Sequence, residues 1–284
     1  MFNVRRTHCF YLKTRIMLGC LYSVMLGGSA FADDKIGENS QGARRCFSFV
    51  WAHTHGDRHS RAGIMVPVEI NDQRGYMQLD TGAPRTVLYG AVTDRSGLTD
   101  PTRDTLLPSR LCSGSYCWAA SPLRIDRRKP ASNPKIIGHL GLDVFLGQET
   151  LLDYPGRNIC ALAGDERNLK VTWSPATVSE GTLLISGSIG ATHLERLLFD
   201  TGSGPFTVQV FPATWDALPS LPGPATSPTP VEGHSYDGAL LHVQSKLVAA
   251  TVTLGPKTLT PPLVYEMPEN LRPVSYTHLT LPTK

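Results

Sequence analysis

Twice in this chain an apolar run ends on the tripeptide Asp-Thr-Gly. Asp80-Thr81-Gly82 follows Tyr76-Met77-Gln78-Leu79, and Asp200-Thr201-Gly202 follows Leu197-Leu198-Phe199. Each run has strand composition, whereas Asp is depleted in strands and costly to bury without hydrogen bonds. A strand that delivers an acid to its end therefore presents a carboxylate meant to be partly buried and held. Two such strands, one in each half of the chain, bring two carboxylates face to face.

The halves repeat beyond the tripeptide. Asp80 and Asp200 are 120 residues apart, and so are Ser115-Tyr116 and Ser235-Tyr236, with one residue of slippage between because Thr86 lies six after its Asp and Thr207 seven. Upstream of the first acid, Ile64-Met65-Val66-Pro67-Val68-Glu69-Ile70 reads as a strand and Asn71-Asp72-Gln73-Arg74-Gly75 as a turn. Leu183-Leu184-Ile185-Ser186-Gly187-Ser188-Ile189 and Gly190-Ala191-Thr192-His193 repeat that hairpin before the second acid. A two-copy repeat of this length indicates a duplicated lobe rather than a solenoid. The boundaries expected are a first lobe over 62–165 and a second over 176–272, joined by a polar, proline-containing linker.

Residues 1–32 read as an export signal: Arg5, Arg6, Lys13 and Arg15 precede the apolar stretch 16–26, and Ala30-Phe31-Ala32 supplies a small-residue cleavage pattern. The apolar stretch falls short of the ~20 residues a membrane span needs, so no stable membrane anchor is expected. Lipid attachment at Cys20 would cut that stretch in half and is set aside. Residues 33–61 form an N-terminal extension. Its His53, His55 and His59 match no helical ligand spacing and are read as a polar loop, so no metal is expected.

The net charge of +3 comes from the stretch read as a signal; without its four cations, 23 cations face 24 anions. Arg127-Arg128-Lys129 is too short to track phosphates and reads as a solvated turn, so nucleic acid is not an expected partner. Four cysteines remain in the exported part, and an even number there reads as two disulfides. Cys112 and Cys117 enclose only four residues, which suits a stapled hairpin tip and leaves Cys46 with Cys160, although spacing leaves the other pairings open.

Leu79-Asp80-Thr81-Gly82-Ala83-Pro84-Arg85-Thr86-Val87-Leu88 resembles the active-site segment of retroviral-type aspartic proteases, and Asp200-Thr201-Gly202-Ser203 is closer to that of pepsin-like enzymes. Ile136-Ile137-Gly138 with the following His139-Leu140-Gly141-Leu142-Asp143-Val144-Phe145-Leu146 resembles a second motif of the same families, two apolar residues and a glycine before a short helix. The resemblance is to a bacterial pepsin/retropepsin-like aspartic protease family and covers about 62–272. It implies an all-β fold of two lobes in one monomer, exported to the periplasm or secreted. Lobe 2 departs from the pattern, because its apolar-apolar-glycine motif is missing before Arg272. Residues 273–284 resemble translated sequencing adapter and are expected to be a non-native tail, leaving lobe 2 incomplete.

The function this resemblance implies is aspartic endopeptidase activity on a polypeptide substrate, without cofactor. Two close carboxylates cannot both ionise, so their pKa values split and they share a proton. One of Asp80 and Asp200 would then act as base on a water while the other polarises the scissile carbonyl and protonates the leaving amine. Thr81 and Thr201 would bond across the lobe junction, Gly82 and Gly202 would let the backbone approach the acids, and Tyr116 and Tyr236 would be flap residues covering the substrate. The alternative from another class is a non-catalytic exported peptide-binding protein on the same fold; two uncompensated acids speak against it. A metal-dependent hydrolase using the histidines is a third reading, which a chelator would separate.

Overall fold

The hairpin ahead of each acid sets the architecture. Gly63–Ile70 pairs antiparallel with Gln73–Leu79, and its turn residues Asn71 and Asp72 both take positive φ, 46° and 67°, the conformation whose twist matches a two-residue hairpin. Ile64, Val66, Val68 and Ile70 are buried while Met65, Pro67 and Glu69 are only half-buried, the period of two expected of a strand with one face on a core. Thr182–Ile189 and Thr192–Phe199 form the second hairpin, which turns at Gly190 with φ 57°.

The computed structural model describes residues 9–12, 45–53, 61–95, 97–108, 110–119, 121–128, 133–162, 174–204, 206–221, 229–234, 240–255, 257–259, 263–267 and 277–279. Among them the fold is all-β. A four-, a nine- and a ten-stranded sheet carry the chain, with only the short helices Gly90–Thr93 and Pro212–Ala217 and a 3-10 turn, Leu142–Phe145. No helix of the described residues is long and apolar enough to cross a membrane.

The two larger sheets repeat one strand order. In the first half Ile136–Leu140 lies parallel to Gln73–Leu79 and antiparallel to Val87–Tyr89, which in turn runs parallel to Leu123–Asp126. In the second half Thr277–Leu279 lies parallel to Thr192–Phe199 and antiparallel to Val208–Val210, which runs parallel to Leu263–Glu266. Thr277–Leu279 supplies the backbone partners that Leu197, Leu198 and Phe199 need on that side. Thr277–Leu279 is an interior strand of the ten-stranded sheet.

The N-terminal extension is also woven in. Arg45–Ser48 pairs with 158–161 and Val50–Ala52 with 63–65. Inside the stretch read as an export signal, the backbone of Cys9–Leu12 pairs with 150–153; the apolar stretch 16–26 lies outside the described residues. Both disulfides join register partners on neighbouring strands: Cys46 with Cys160 and Cys112 with Cys117. Each half packs its own core, around Val66, Met77, Leu88 and Leu140 in the first and Leu197, Val208, Val210 and Val264 in the second.

Candidate active site

Asp80 and Asp200 sit at the ends of equivalent strands, and the structure brings them together. Their carboxyl groups are in direct hydrogen-bond contact. Each is also held by its own loop: Oδ1 of Asp80 accepts from the backbone N–H of Gly82 and of Ala83, both at 3.0 Å, and Oδ1 of Asp200 accepts from the N–H of Gly202 at 2.7 Å. Burial pushes the Asp80 carboxyl well above the usual range, and the neighbouring Asp200 charge and the hydrogen bond to it push the same way, against the two loop N–H donors. Two acids in contact therefore hold one proton between them at pH values where isolated carboxyls have none.

The junction beneath the acids is built by the two threonines in a reciprocal pattern. Thr81 N–H donates to Thr201 Oγ1 at 3.1 Å and Thr201 N–H to Thr81 Oγ1 at 3.0 Å. Each hydroxyl then donates across the junction to a strand-end carbonyl, Thr81 to Phe199 O at 2.7 Å and Thr201 to Leu79 O at 3.0 Å. Both threonines are buried, so these four bonds are screened from water and each hydroxyl uses both its donor and its acceptor capacity. Gln78 adds a further bond, Nε2 to Gly202 O at 3.0 Å.

The glycines are required by distance. A Cβ on Gly82 would lie 2.5 Å from Asp200 Cγ, and one on Gly202 would lie 2.4 Å from Asp80 Cγ, so each glycine backs onto the opposite acid. Replacing either by alanine forces the carboxyls apart, and overpacking of this kind costs about 1–3 kcal/mol. Urea unfolding of Gly202→Ala should show a loss in that range; a variant as stable as wild type would mean that the junction yields freely.

Behind the first acid the loop 80–86 is clamped. Asp143 accepts from Thr86 N–H at 2.9 Å and from Thr86 Oγ1 at 2.7 Å, and Thr86 Oγ1 accepts from Gly141 N–H at 3.1 Å. Leu140 O accepts from Asp80 N–H at 2.9 Å, and the buried His139 ring bonds Arg85 O at 3.0 Å through Nε2 and Tyr89 OH at 3.3 Å through Nδ1. Reading the sequence missed Asp143, His139 and Gln78 as site residues. The one available signal was Asp143 in the first turn of a short helix, where a carboxylate can bond exposed N–H groups.

Tyr116 is not where the flap reading put it. It is buried in the first-half core, with its ring 5.1 Å from Phe47 and 5.0 Å from Trp118 and its hydroxyl bonded to Gln148 Oε1 at 3.3 Å. The hairpin Leu111–Ser113/Tyr116–Trp118 is short and pairs back onto Glu69 and Ile70, so burying the ring gains apolar contact that projection over a cleft would lose. Tyr236, His55 and His59 lie outside the described residues.

Comparison with known proteins corrects the family reading. No family model matches the chain, and no curated protein matches it. Among solved structures it is similar to conglutin gamma, a basic 7S globulin from lupine seeds, at 10% identity and a TM-score of 0.44 over 84% of this chain and 90% of that one. The chain is therefore not assigned to the pepsin/retropepsin-like family. Tripeptides and short apolar motifs recur on unrelated chains, and a handful of matched positions is too little to define descent.

Proposed function

We propose that the chain is an aspartic endopeptidase that hydrolyses peptide bonds through a water held between Asp80 and Asp200. The observation that carries this reading is the pair itself: two carboxyls in contact, each presented by a strand end, with the Asp80 pKa raised. The two halves are read as lobes of an acid-protease type of fold, each contributing one acid, so a monomer is competent. The two disulfides support an exported location, periplasmic or secreted.

The roles of the acids follow from the raised Asp80 pKa. Each acid accepts two hydrogen bonds from its own loop: Asp80 from Gly82 N–H and Ala83 N–H, and Asp200 from Gly202 N–H and, at Oδ2, from Ser203 Oγ at 2.6 Å. Burial and the Asp200 charge raise the Asp80 pKa, so Asp80 carries the proton and Asp200 is the ionised base. Asp200 takes a proton from the water as the oxygen attacks the carbonyl carbon, and Asp80 polarises the carbonyl. The amine leaves with the proton returned by the pair.

Incubating the purified protein with an unfolded polypeptide in H₂¹⁸O tests the reading: one labelled oxygen should enter each new carboxyl terminus, and a chelator should have no effect. Binding of peptide without cleavage would favour the non-catalytic alternative. The pH profile supplies a second check. Activity ends on the acid side where Asp200 protonates and on the alkaline side where Asp80 ionises, above the usual carboxyl range. Ser203→Ala removes a bond to charged Asp200, raises its pKa and should move the acid limb to higher pH while the alkaline limb moves less. An acid limb that stays in place would remove Ser203 from the assignment.

A further inference from the structure

One feature of the first half lies apart from the paired acids. Cys112 and Cys117 are bonded across the hairpin Leu111–Ser113/Tyr116–Trp118, but their surroundings differ. Cys112 is buried, at 1% exposure, and its Sγ accepts a hydrogen bond from Arg110 Nε at 3.1 Å. Cys117 is exposed. Cys112 also stands in the wall of a groove of about 590 Å³ lined by Arg74, Arg110, Lys135 and Glu69. Glu69 is shared, its Oε2 lying 3.1 Å from Arg74 Nε and its Oε1 3.8 Å from Arg110 Nη1, which leaves the groove with three cations against one carboxylate. Cys46–Cys160 has a different setting, with Cys160 buried against Leu151 and Leu162.

Thiol–disulfide exchange depends on which sulfur can be reached and on how well the other leaves as a thiolate. The exposed Cys117 answers the first condition. The guanidinium on Cys112 answers the second, since a neighbouring cation lowers a thiol's pKa whereas apolar surroundings raise it. A groove of positive charge beside the bond raises the local concentration of negatively charged reagents.

We propose that Cys112–Cys117 is a thiol–disulfide exchange site for small anionic thiols, with Cys117 as the sulfur attacked. A thiolate adds to Cys117 Sγ, the S–S bond breaks and its electron pair leaves on Cys112 Sγ beside Arg110. A second thiolate then attacks the reagent's sulfur in the mixed disulfide and releases Cys117. Two reagent thiols are oxidised to one disulfide, and the protein disulfide gains two electrons and two protons. This inference does not depend on the peptidase reading, and its test does not use activity.

The test treats the whole protein with 2-mercaptoethanesulfonate, an anion, or cysteamine, a cation, at equal thiolate concentration and low salt, followed by alkylation and peptide mass mapping. Cys112–Cys117 should open before Cys46–Cys160, with the first adduct on Cys117. The anionic reagent should react about tenfold faster than the cationic one, a difference that high salt removes. Arg110→Met should slow the anionic reaction several-fold, and Arg110→Lys should retain most of the rate. Opening of Cys46–Cys160 first, an adduct on Cys112 or equal rates for the two reagents would overturn the proposal. The reagent comparison needs no variant, so it decides even where Arg110→Met folds poorly.

Discussion

Asp80→Asn and Asp200→Asn should each lower peptide hydrolysis by about 10²–10⁴-fold, because neither carboxyl can carry out both proton transfers. Stability should move the other way in one of them. The folded-state pKa of Asp80 is raised, so the contribution of this group to stability is fully present below the unfolded-state value and is lost as pH rises through the folded value, where two charges are forced into contact. An amide at this position keeps a hydrogen bond to Asp200 and carries no charge. Asp80→Asn should therefore lose activity and yet unfold at a higher temperature than wild type on the alkaline side of the folded pKa, with the difference shrinking as pH falls. Thermal melts at several pH values beside hydrolysis assays give both readings at once. A variant that keeps most of its activity sinks the mechanism, and one that loses activity together with stability at every pH shows only a broken fold.

A chain ended at Arg272 should lose the second half of the fold while the first half survives. Thr277–Leu279 supplies backbone partners to Leu197, Leu198 and Phe199 on one side and to Val208 and Gln209 on the other. Of these residues, Leu197, Leu198, Val208 and Gln209 are buried, so water cannot simply replace the missing strand. Each buried backbone group left without a partner costs about 1–3 kcal/mol, and a few of them reach the ~5–15 kcal/mol that holds a domain together. The damage also reaches the candidate site, since Phe199 O accepts from Thr81 Oγ1 and the next residue is Asp200. Limited proteolysis of the shortened chain should give cuts concentrated between 176 and 272 and a resistant fragment from the first half. A second half as resistant as in the full chain would mean that the strand is dispensable.

The paired acids were legible in the sequence because an Asp that closes an apolar run is a local signal, and its repetition 120 residues later is visible without a structure. The hairpins before them were legible for the same reason: alternation in Ile64, Val66, Val68 and Ile70 and a polar turn read over Asn71 to Gly75 are decided by neighbours in the chain, although the structure confines the turn to Asn71-Asp72 and starts the returning strand at Gln73. The Cys112–Cys117 pairing suited its four-residue spacing, and the structure chose it among the pairings that spacing left open. What only the tertiary structure decided is long-range. Parallel pairing leaves no local trace, so nothing in Thr277, His278 and Leu279 marks them as the partner of Leu197, Leu198 and Phe199. The burial of Tyr116 depends on Phe47, 69 positions earlier, and a tyrosine beside a tight turn looks the same in sequence whether it covers a cleft or fills a core. The Asp143 clamp on Thr86 and the Arg110 contact with Cys112 are likewise matters of side-chain direction. Chain periodicity fixes which residues form strands, whereas the placing of one strand end against another is set by the packing of both halves together, and the chemistry of the two acids depends on that placing.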